Sequence, residues 1–198
     1  MADIIYKYGK SVYANITNKC NCRCSFCIRF LKDGIGSADV LWHKENPSKE
    51  AVIEAIREFD FTGFDELVFC GYGEPTCALD ILLDAAKVAK DEKNLKTRLN
   101  TNGLGNAENG RDIVGELSKV IDSVSISLNA PNSIEYEEIT HPGFSNSFDR
   151  MIDFAKKCKE QVKEVKWSIV DVLSEDDIAQ CKQLSEETGI PLRIRHFA

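Results

Sequence analysis

No apolar run in the chain approaches the roughly 20 residues that cross a bilayer, which excludes a helical membrane span. The N-terminus, Met1-Ala2-Asp3-Ile4-Ile5-Tyr6-Lys7, has no basic start, long apolar stretch or small-residue cleavage site, so the expectation is a protein that stays in the cytoplasm. A basic stripe is missing too. Lys and Arg are scattered among Asp and Glu at a formal net charge of −7, so no nucleic-acid partner is expected. Nor is there a Pro/Gly/Ser-rich stretch or charge block that would mark a linker, and the 198 residues are expected to form one domain spanning 1–198. What is present is an ordinary globular balance, 43% apolar and 29% charged, together with eight cysteines. In an unexported chain those thiols stay reduced, which favours metal binding, redox work or burial over a disulfide framework.

Short β-rich runs alternate with helical patterns. The apolar run over 11–17 predicts a first strand, and Pro47-Ser48 opens a helix through Phe59 with Ala51, Val52, Ala55, Ile56 and Phe59 at helical spacing. A second strand over 66–70 is closed by Gly71-Tyr72-Gly73 and Pro75. A helix over 79–91, a third strand over 96–100 and a helix over 110–119 follow. The fourth strand, 123–129, alternates so strictly that Ser125, Ser127 and Asn129 are expected on one face. Beyond it come a short helix over 133–139, a Pro142-Gly143 turn, a helix over 146–160 and a fifth strand over 165–172. Ser174 caps a helix through Glu187 that Gly189 ends, and 191–197 is a sixth strand.

Such repeats imply an α/β fold with parallel strands, because parallel neighbours need long crossovers. Six strands are too few to close a filled eight-strand barrel, so the expected architecture is a partial, open (β/α)6 TIM-like barrel with helices on its outer face. Reactive groups then gather at the C-terminal ends of the strands.

Three cysteines spaced Cys20-x3-Cys24-x2-Cys27 directly follow the first strand. Three thiolates can hold three irons of a four-iron, four-sulfur (4Fe-4S) cube and leave the fourth iron without a protein ligand. The competing readings are a zinc site or a group of buried thiols; zinc wants four ligands, and no second Cys-x2-Cys knuckle accompanies this one. Cys22 is a fourth thiol inside the same loop.

The triplet resembles the hallmark of the radical S-adenosylmethionine (radical SAM) enzymes, and Phe26, the aromatic before the last cysteine, matches that family as well. The resemblance makes Cys20, Cys24 and Cys27 the cluster ligands and Cys22 a non-ligand. Gly71-Tyr72-Gly73-Glu74-Pro75 resembles the family's Gly-Gly-Glu-Pro element, which binds the amino group of SAM; an ammonium wants carbonyls and a carboxylate, and glycines permit close backbone approach. Taken alone it is a glycine turn. Asn100-Thr101-Asn102-Gly103 looks like the polar element near the SAM ribose and carboxylate, and is otherwise an Asn-Gly turn. Ser127-Leu128-Asn129 resembles a Ser-Leu-Asp segment meeting the same cofactor, with Asn129 where an acid is common. Val170 and Val172 either flank the adenine or pack in the core.

Across nearly its whole length the chain is similar to the TatD-associated radical SAM proteins, through Asn18-Lys19-Cys20-Asn21, the segment from Phe69 to Thr76, the segment from Arg98 to Gly103, and the segment from Ser125 to Ala130. The resemblance implies a reduced 4Fe-4S cluster that splits SAM into methionine and a 5′-deoxyadenosyl radical, which takes a hydrogen atom from substrate. It also implies an external one-electron reductant such as flavodoxin or ferredoxin, and a small-molecule or peptide substrate. Alternatives are a role like that of 7-carboxy-7-deazaguanine synthase or a glycyl-radical-activating enzyme, and a non-catalytic electron carrier or SAM-binding module. Of the remaining cysteines, Cys70 lies near the expected site at a strand end, Cys77 lies outside the cluster motif, and Cys158 and Cys181 read as buried small hydrophobes. Arg29, Arg193, Arg195, His196 and His141 are candidates for reading a substrate anion, and Trp42 with His43 for part of a lid.

Overall fold

Seven strands hydrogen-bond in chain order into one open sheet: β1 (Ile5–Tyr8), β2 (Ser11–Ala14), β3 (Glu66–Phe69), β4 (Lys96–Thr101), β5 (Ser123–Ser127), β6 (Glu164–Val170) and β7 (Leu192–Arg195). The structure, a computed structural model, describes residues 2–196. Strands β2 to β7 are parallel neighbours, as the repeat pattern requires, and the sheet has the form of a partial barrel. Strand β1 is an addition to the six expected. It pairs antiparallel with β2 across a turn of two residues, Gly9 and Lys10, and Gly9 has φ +59°. A two-residue hairpin needs such a left-handed position, which glycine adopts without cost.

The crossovers carry α1 (Lys49–Glu58), α2 (Leu79–Asp91), α3 (Gly105–Glu108), α4 (Val114–Val120), α5 (Ser133–Thr140), α6 (Ser147–Gln161) and α7 (Glu175–Thr188). Among the described residues, no helix is long and apolar enough to cross a membrane. Ser48 caps α1 by accepting from Ala51 N at 3.2 Å, and Val52 and Ile56, one turn apart, are its buried face. Ser174 caps α7 by accepting from Asp177 N, and Gly189 ends that helix in the left-handed region. The helix expected over 110–119 starts four residues later, as α4, and α3 precedes it as a separate turn. Gly110, at φ +63°, breaks the chain between α3 and α4, and Asp112 Oδ1 accepts from Val114 N to start α4 afresh.

Strand alternation gives the sheet two unlike faces. On the outer one Val12, Leu67, Leu99, Val124, Ile126, Trp167 and Ile169 are fully buried in one core with the apolar sides of the helices. Each such side chain contributes about 1.5–3 kcal/mol of transfer free energy. The opposite, concave face carries Arg98, Asn100, Ser123, Ser125, Lys166 and Ser168 at the intervening positions.

Several strand ends differ from expectation. Strand β5 stops at Ser127, and Asn129 has φ +61°, so the alternation that would put Asn129 on the face of Ser125 and Ser127 ends before it. Asparagine tolerates that conformation better than most residues. The fifth expected strand stops at Val170, leaving Val172 outside it and 49% exposed. The first ends at Ala14, and 15–17 runs on as buried, non-strand chain. Phe197, the last residue of the expected sixth strand, lies outside the described residues.

Candidate active site

Because β2 to β5 run parallel, the segments following them share one edge of the sheet. The cysteine loop follows β2, Gly71–Pro75 follows β3, Asn102 follows β4, and Leu128–Asn129 follows β5. In the cysteine loop Cys22 is turned into the core, while Cys20, Cys24, Cys27 and Phe26 are partly exposed. The loop is held by backbone bonds to the end of α5, Arg23 N to Thr140 O and Ser25 N to Ile139 O, each 2.9 Å.

The glycines of Gly71-Tyr72-Gly73 are needed for close approach within the protein itself. A Cβ on Gly73 would sit 2.2 Å from Thr17 O and 2.6 Å from Lys19 O, and Glu74 N donates to Lys19 O at 2.7 Å. A Cβ on Gly71 would meet Asn15 Oδ1 at 2.1 Å. The Glu74 carboxylate is buried and already supplied with donors. Oε1 accepts from Thr76 N, Thr76 Oγ1 and Thr101 Oγ1, and Oε2 accepts from Asn102 N at 2.8 Å. Burial pushes its pKa up and these donors pull against it, with the net direction upward. Pro75 begins the 3-10 turn Pro75–Ala78, which Glu74 caps.

The polar motif after β4 divides by position. Thr101 and Asn102 brace loops: Thr101 on Glu74, and Asn102 through Nδ2 on Asn21 Oδ1 at 2.6 Å and Cys22 Sγ at 3.5 Å. Asn100 sits on the concave face, where it hydrogen-bonds the Cys70 thiol. Burial raises the Cys70 pKa against that bond. Ser127 is half-buried beside Ser168, and Asn129 is buried. Cys158 and Cys181 are buried in α6 and α7 as expected.

Asn15 is a site residue that the sequence did not reveal. It is fully buried, its Oδ1 accepts from Tyr72 N at 3.1 Å, and its Nδ2 donates to Leu41 O at 2.6 Å and meets His43 Nε2 at 2.9 Å. Asn18 adds two bonds to the backbone of His43. His43 is therefore a buried anchor for the 28–46 segment, while Trp42, expected with it as part of a lid, is 48% exposed. The only local signal was a polar residue immediately after an apolar strand.

Around the thiols, electrostatics are divided. Burial pushes Cys20 up to about 12, with the Glu74 charge adding to it, and burial also raises Cys27. Cys24 is lowered, chiefly because Cys22 donates to it, and Cys22 is raised by the same contact. The Arg29 guanidinium favours the thiolate at Cys20, Cys24 and Cys27 alike. Its Nη1 donates to Tyr72 O at 3.5 Å, its Cζ lies 4.8 Å from the Phe30 ring centre, and its Nε is buried with no partner among the described residues.

Residues 14–185 match the Radical SAM superfamily. The chain belongs to that superfamily. It is 28% identical over 198 residues to a GTP 3′,8-cyclase of Clostridium perfringens, a match covering 94% of this chain and 56% of that protein. The chain thus spans about half the length of the curated relatives it matches. Among solved structures, Streptococcus suis SuiB bound to precursor peptide SuiA superposes with a TM-score of 0.70 at 20% identity, covering 92% of this chain and 38% of that one. SuiB bound to S-adenosylmethionine gives 0.67 at 22% identity, over 94% and 40%.

The superfamily uses a 4Fe-4S cluster and SAM. The donor set fits such a cluster: three partly exposed free thiols, a guanidinium that favours their thiolates, and an unpartnered Arg29 Nε beside them. Among the described residues, no three Cys, His, Asp or Glu side chains converge on a single point where a metal ion could sit, the three cysteines included. A cube asks less convergence, since each thiolate takes a different iron.

Proposed function

We propose that this chain is a radical SAM enzyme, with Cys20, Cys24 and Cys27 as ligands of a 4Fe-4S cluster and SAM held beside them. When bound, the cluster and SAM supply reductive cleavage of the sulfonium and hydrogen-atom abstraction from substrate. The observation that carries the reading is the attachment of the three-thiol loop to Gly71–Pro75 through Glu74 N to Lys19 O and the close approach at Gly73. That clamp fixes the proposed metal ligands relative to the carbonyls of Gly71, Tyr72 and Gly73, which are the acceptors for the SAM ammonium. Arg29 favours ionised thiols, and Phe26 and Tyr72 belong to the two loops that this clamp joins. Asn100, Ser127 and Asn129 remain for the ribose and carboxylate, while Thr101, Asn102 and Glu74 hold the loops in position.

Within the superfamily the motifs favour the TatD-associated branch, with residues 1–198 forming a radical SAM core, a flavodoxin- or ferredoxin-type reductant and a cytoplasmic setting. The substrate is a small molecule or a peptide; a relative named for GTP and a neighbour bound to its precursor peptide represent the two kinds.

Anaerobic reconstitution with iron, sulfide, SAM and dithionite tests the reading through 5′-deoxyadenosine, read by mass spectrometry. Wild type should form it, and Cys24→Ala should lose both the brown cluster and the product. Unchanged deoxyadenosine from Cys24→Ala would sink the assignment. SAM that persists unchanged beside a reversibly reducible cluster would instead establish a carrier or binding module.

A further inference from the structure

The concave face of the sheet holds a set of cations with no part in holding the cysteine loop. In register across the strands, Arg98 lies beside Ser123, Lys166 beside Ser125, and Arg193 beside Ser168. Arg195 is two residues beyond Arg193 on the same face. Glu66 and Glu164 share this face, and Glu66 pairs with Arg98 Nη2 at 3.2 Å; at its upper end Asp171 N donates to Arg195 O and the Asp171 carboxylate pairs with His196, and Glu74 acts on Cys70 from the neighbouring loop. Among the described residues, Lys166 and Arg193 make no ion pair.

Among the described residues, two buried polar atoms at this face lack partners. One is Arg98 Nε, on a side chain 12% exposed, and the other is Ser123 Oγ, on a residue 6% exposed, directly beside it in the register. An unmet buried donor costs about 1–3 kcal/mol, so two adjacent ones mark a place that a ligand completes. Curvature brings β7 round towards β2 and β3. Arg98 and Arg193 both act electrostatically on Tyr13, and Arg98 and Arg195 both act on Cys70. Three guanidinium groups of one sheet face thus act on the neighbouring side chains Tyr13 and Cys70, in a chain whose formal charge is −7. The guanidinium fork matches the oxygen pairs of carboxylates and phosphates.

We propose that Arg98, Arg193 and Arg195, with the Ser123 hydroxyl, form an anion subsite on the concave face, and that the substrate is a small molecule bearing a phosphate or carboxylate group. Its role as a substrate subsite rests on the radical SAM reading; its capacity to bind an anion does not. Arg98 keeps Glu66 as its partner and leaves Nε for the anion, while Arg193 and Arg195 add charge from β7.

Calorimetric titration of the anaerobically reconstituted chain with inorganic pyrophosphate and with glutarate tests the subsite, and the probe that binds identifies the anion class. Arg193→Ala and Arg195→Ala should each weaken binding at least tenfold, and raising the salt concentration should weaken it in wild type. Arg98→Lys, which keeps the charge but removes Nε from the fork, should weaken it by a smaller factor and guards against misfolding of a full truncation. Lys182→Ala, on the exposed side of α7, should bind as wild type does. Failure of both probes to bind, or binding unchanged in Arg193→Ala and Arg195→Ala, overturns the subsite. Wild-type deoxyadenosine formation is measured separately. Arginine-dependent binding without that product refutes the catalytic reading and supports the subsite, whereas the product without such binding does the reverse.

Discussion

Gly73→Ala tests whether the cysteine loop is clamped as described. The new Cβ would lie 2.2 Å from Thr17 O, 2.6 Å from Lys19 O and 2.8 Å from Thr17 C, all backbone atoms that no rotamer change can move aside. Contacts under 3.0 Å are essentially never made by a real Cβ, so the chain at Thr17–Lys19 must retreat. Retreat of Lys19 O lengthens its 2.7 Å bond from Glu74 N. Overpacking of this kind costs about 1–3 kcal/mol and a lost bond about 1 kcal/mol more, giving roughly 2–4 kcal/mol together. The contrast is Gly115→Ala in α4, whose Cβ would meet nothing nearer than Gln161 Oε1 at 3.6 Å. There alanine should be neutral or stabilise by up to about 1 kcal/mol through backbone entropy. Urea unfolding of the reduced chain reads both, with the slope held constant so that midpoint shifts report stability. A Gly73→Ala midpoint equivalent to less than about 0.5 kcal/mol from wild type would refute the clamp, because that is the scatter of surface substitutions.

Two further outcomes follow from buried polar groups. Asp122 is partly buried, which works against its charge, yet Lys163 and Lys90, each 2.6 Å away, and Thr97 N at 3.1 Å hold its pKa well below the ordinary 3.8. A depressed folded-state pKa gives stability that is present above the unfolded value and lost as pH falls through the folded one. Asp122→Asn should therefore cost about 1–2 kcal/mol at neutral pH, and that cost should shrink as unfolding is measured at pH 5, then 3; a cost independent of pH would contradict the assignment. Asn15→Ala strands Tyr72 N and Leu41 O in the interior and should cost about 2–4 kcal/mol at about 1–2 per orphaned group. Amide exchange in 28–46 should quicken in that variant, and unchanged protection there would show that Asn15 does not anchor the segment.

What could be read in the sequence was whatever depends on near neighbours. The strands β3 to β7 announce themselves because most of their outward positions are apolar, with Gly71, Asn102 and Asn129 closing β3, β4 and β5, and α1 and α7 because Ser48, Ser174 and Gly189 mark their termini. Strand β1 escaped because it is four residues long with Lys7 and Tyr8 exposed, and pairing with β2 supplies what its pattern lacks. The left-handed Asn129 interrupts an alternation that looked uninterrupted, since the pattern of residue types carries no dihedral angle. At the site, each motif was legible from its place after a strand. The contacts of Glu74 with Thr101 and Asn102, or of Asn15 with Leu41 and Tyr72, join loops 26 to 57 residues apart, and no local pattern encodes them.

Strand parity assigns the work within these motifs. Along β4, Leu99 is packed into the helix-covered core and Thr101 is buried against Glu74, while Arg98 and Asn100 look into the hollow. The same strand therefore braces the loops with one set of side chains and lines the concave face with the other. A slip of one residue would exchange the sets, placing a guanidinium in the core and leucine in the hollow. Burial of an unpaired charge costs far more than an exposed leucine, so the apolar packing that fixes the fold also fixes which groups face a bound molecule. The acidic excess of the chain then lies elsewhere, on helices such as α7 with Glu175, Asp176 and Asp177 in its first turn, where it complements the helix dipole. Net charge and site charge have opposite sign here because strand register, and not composition, selects what the hollow contains.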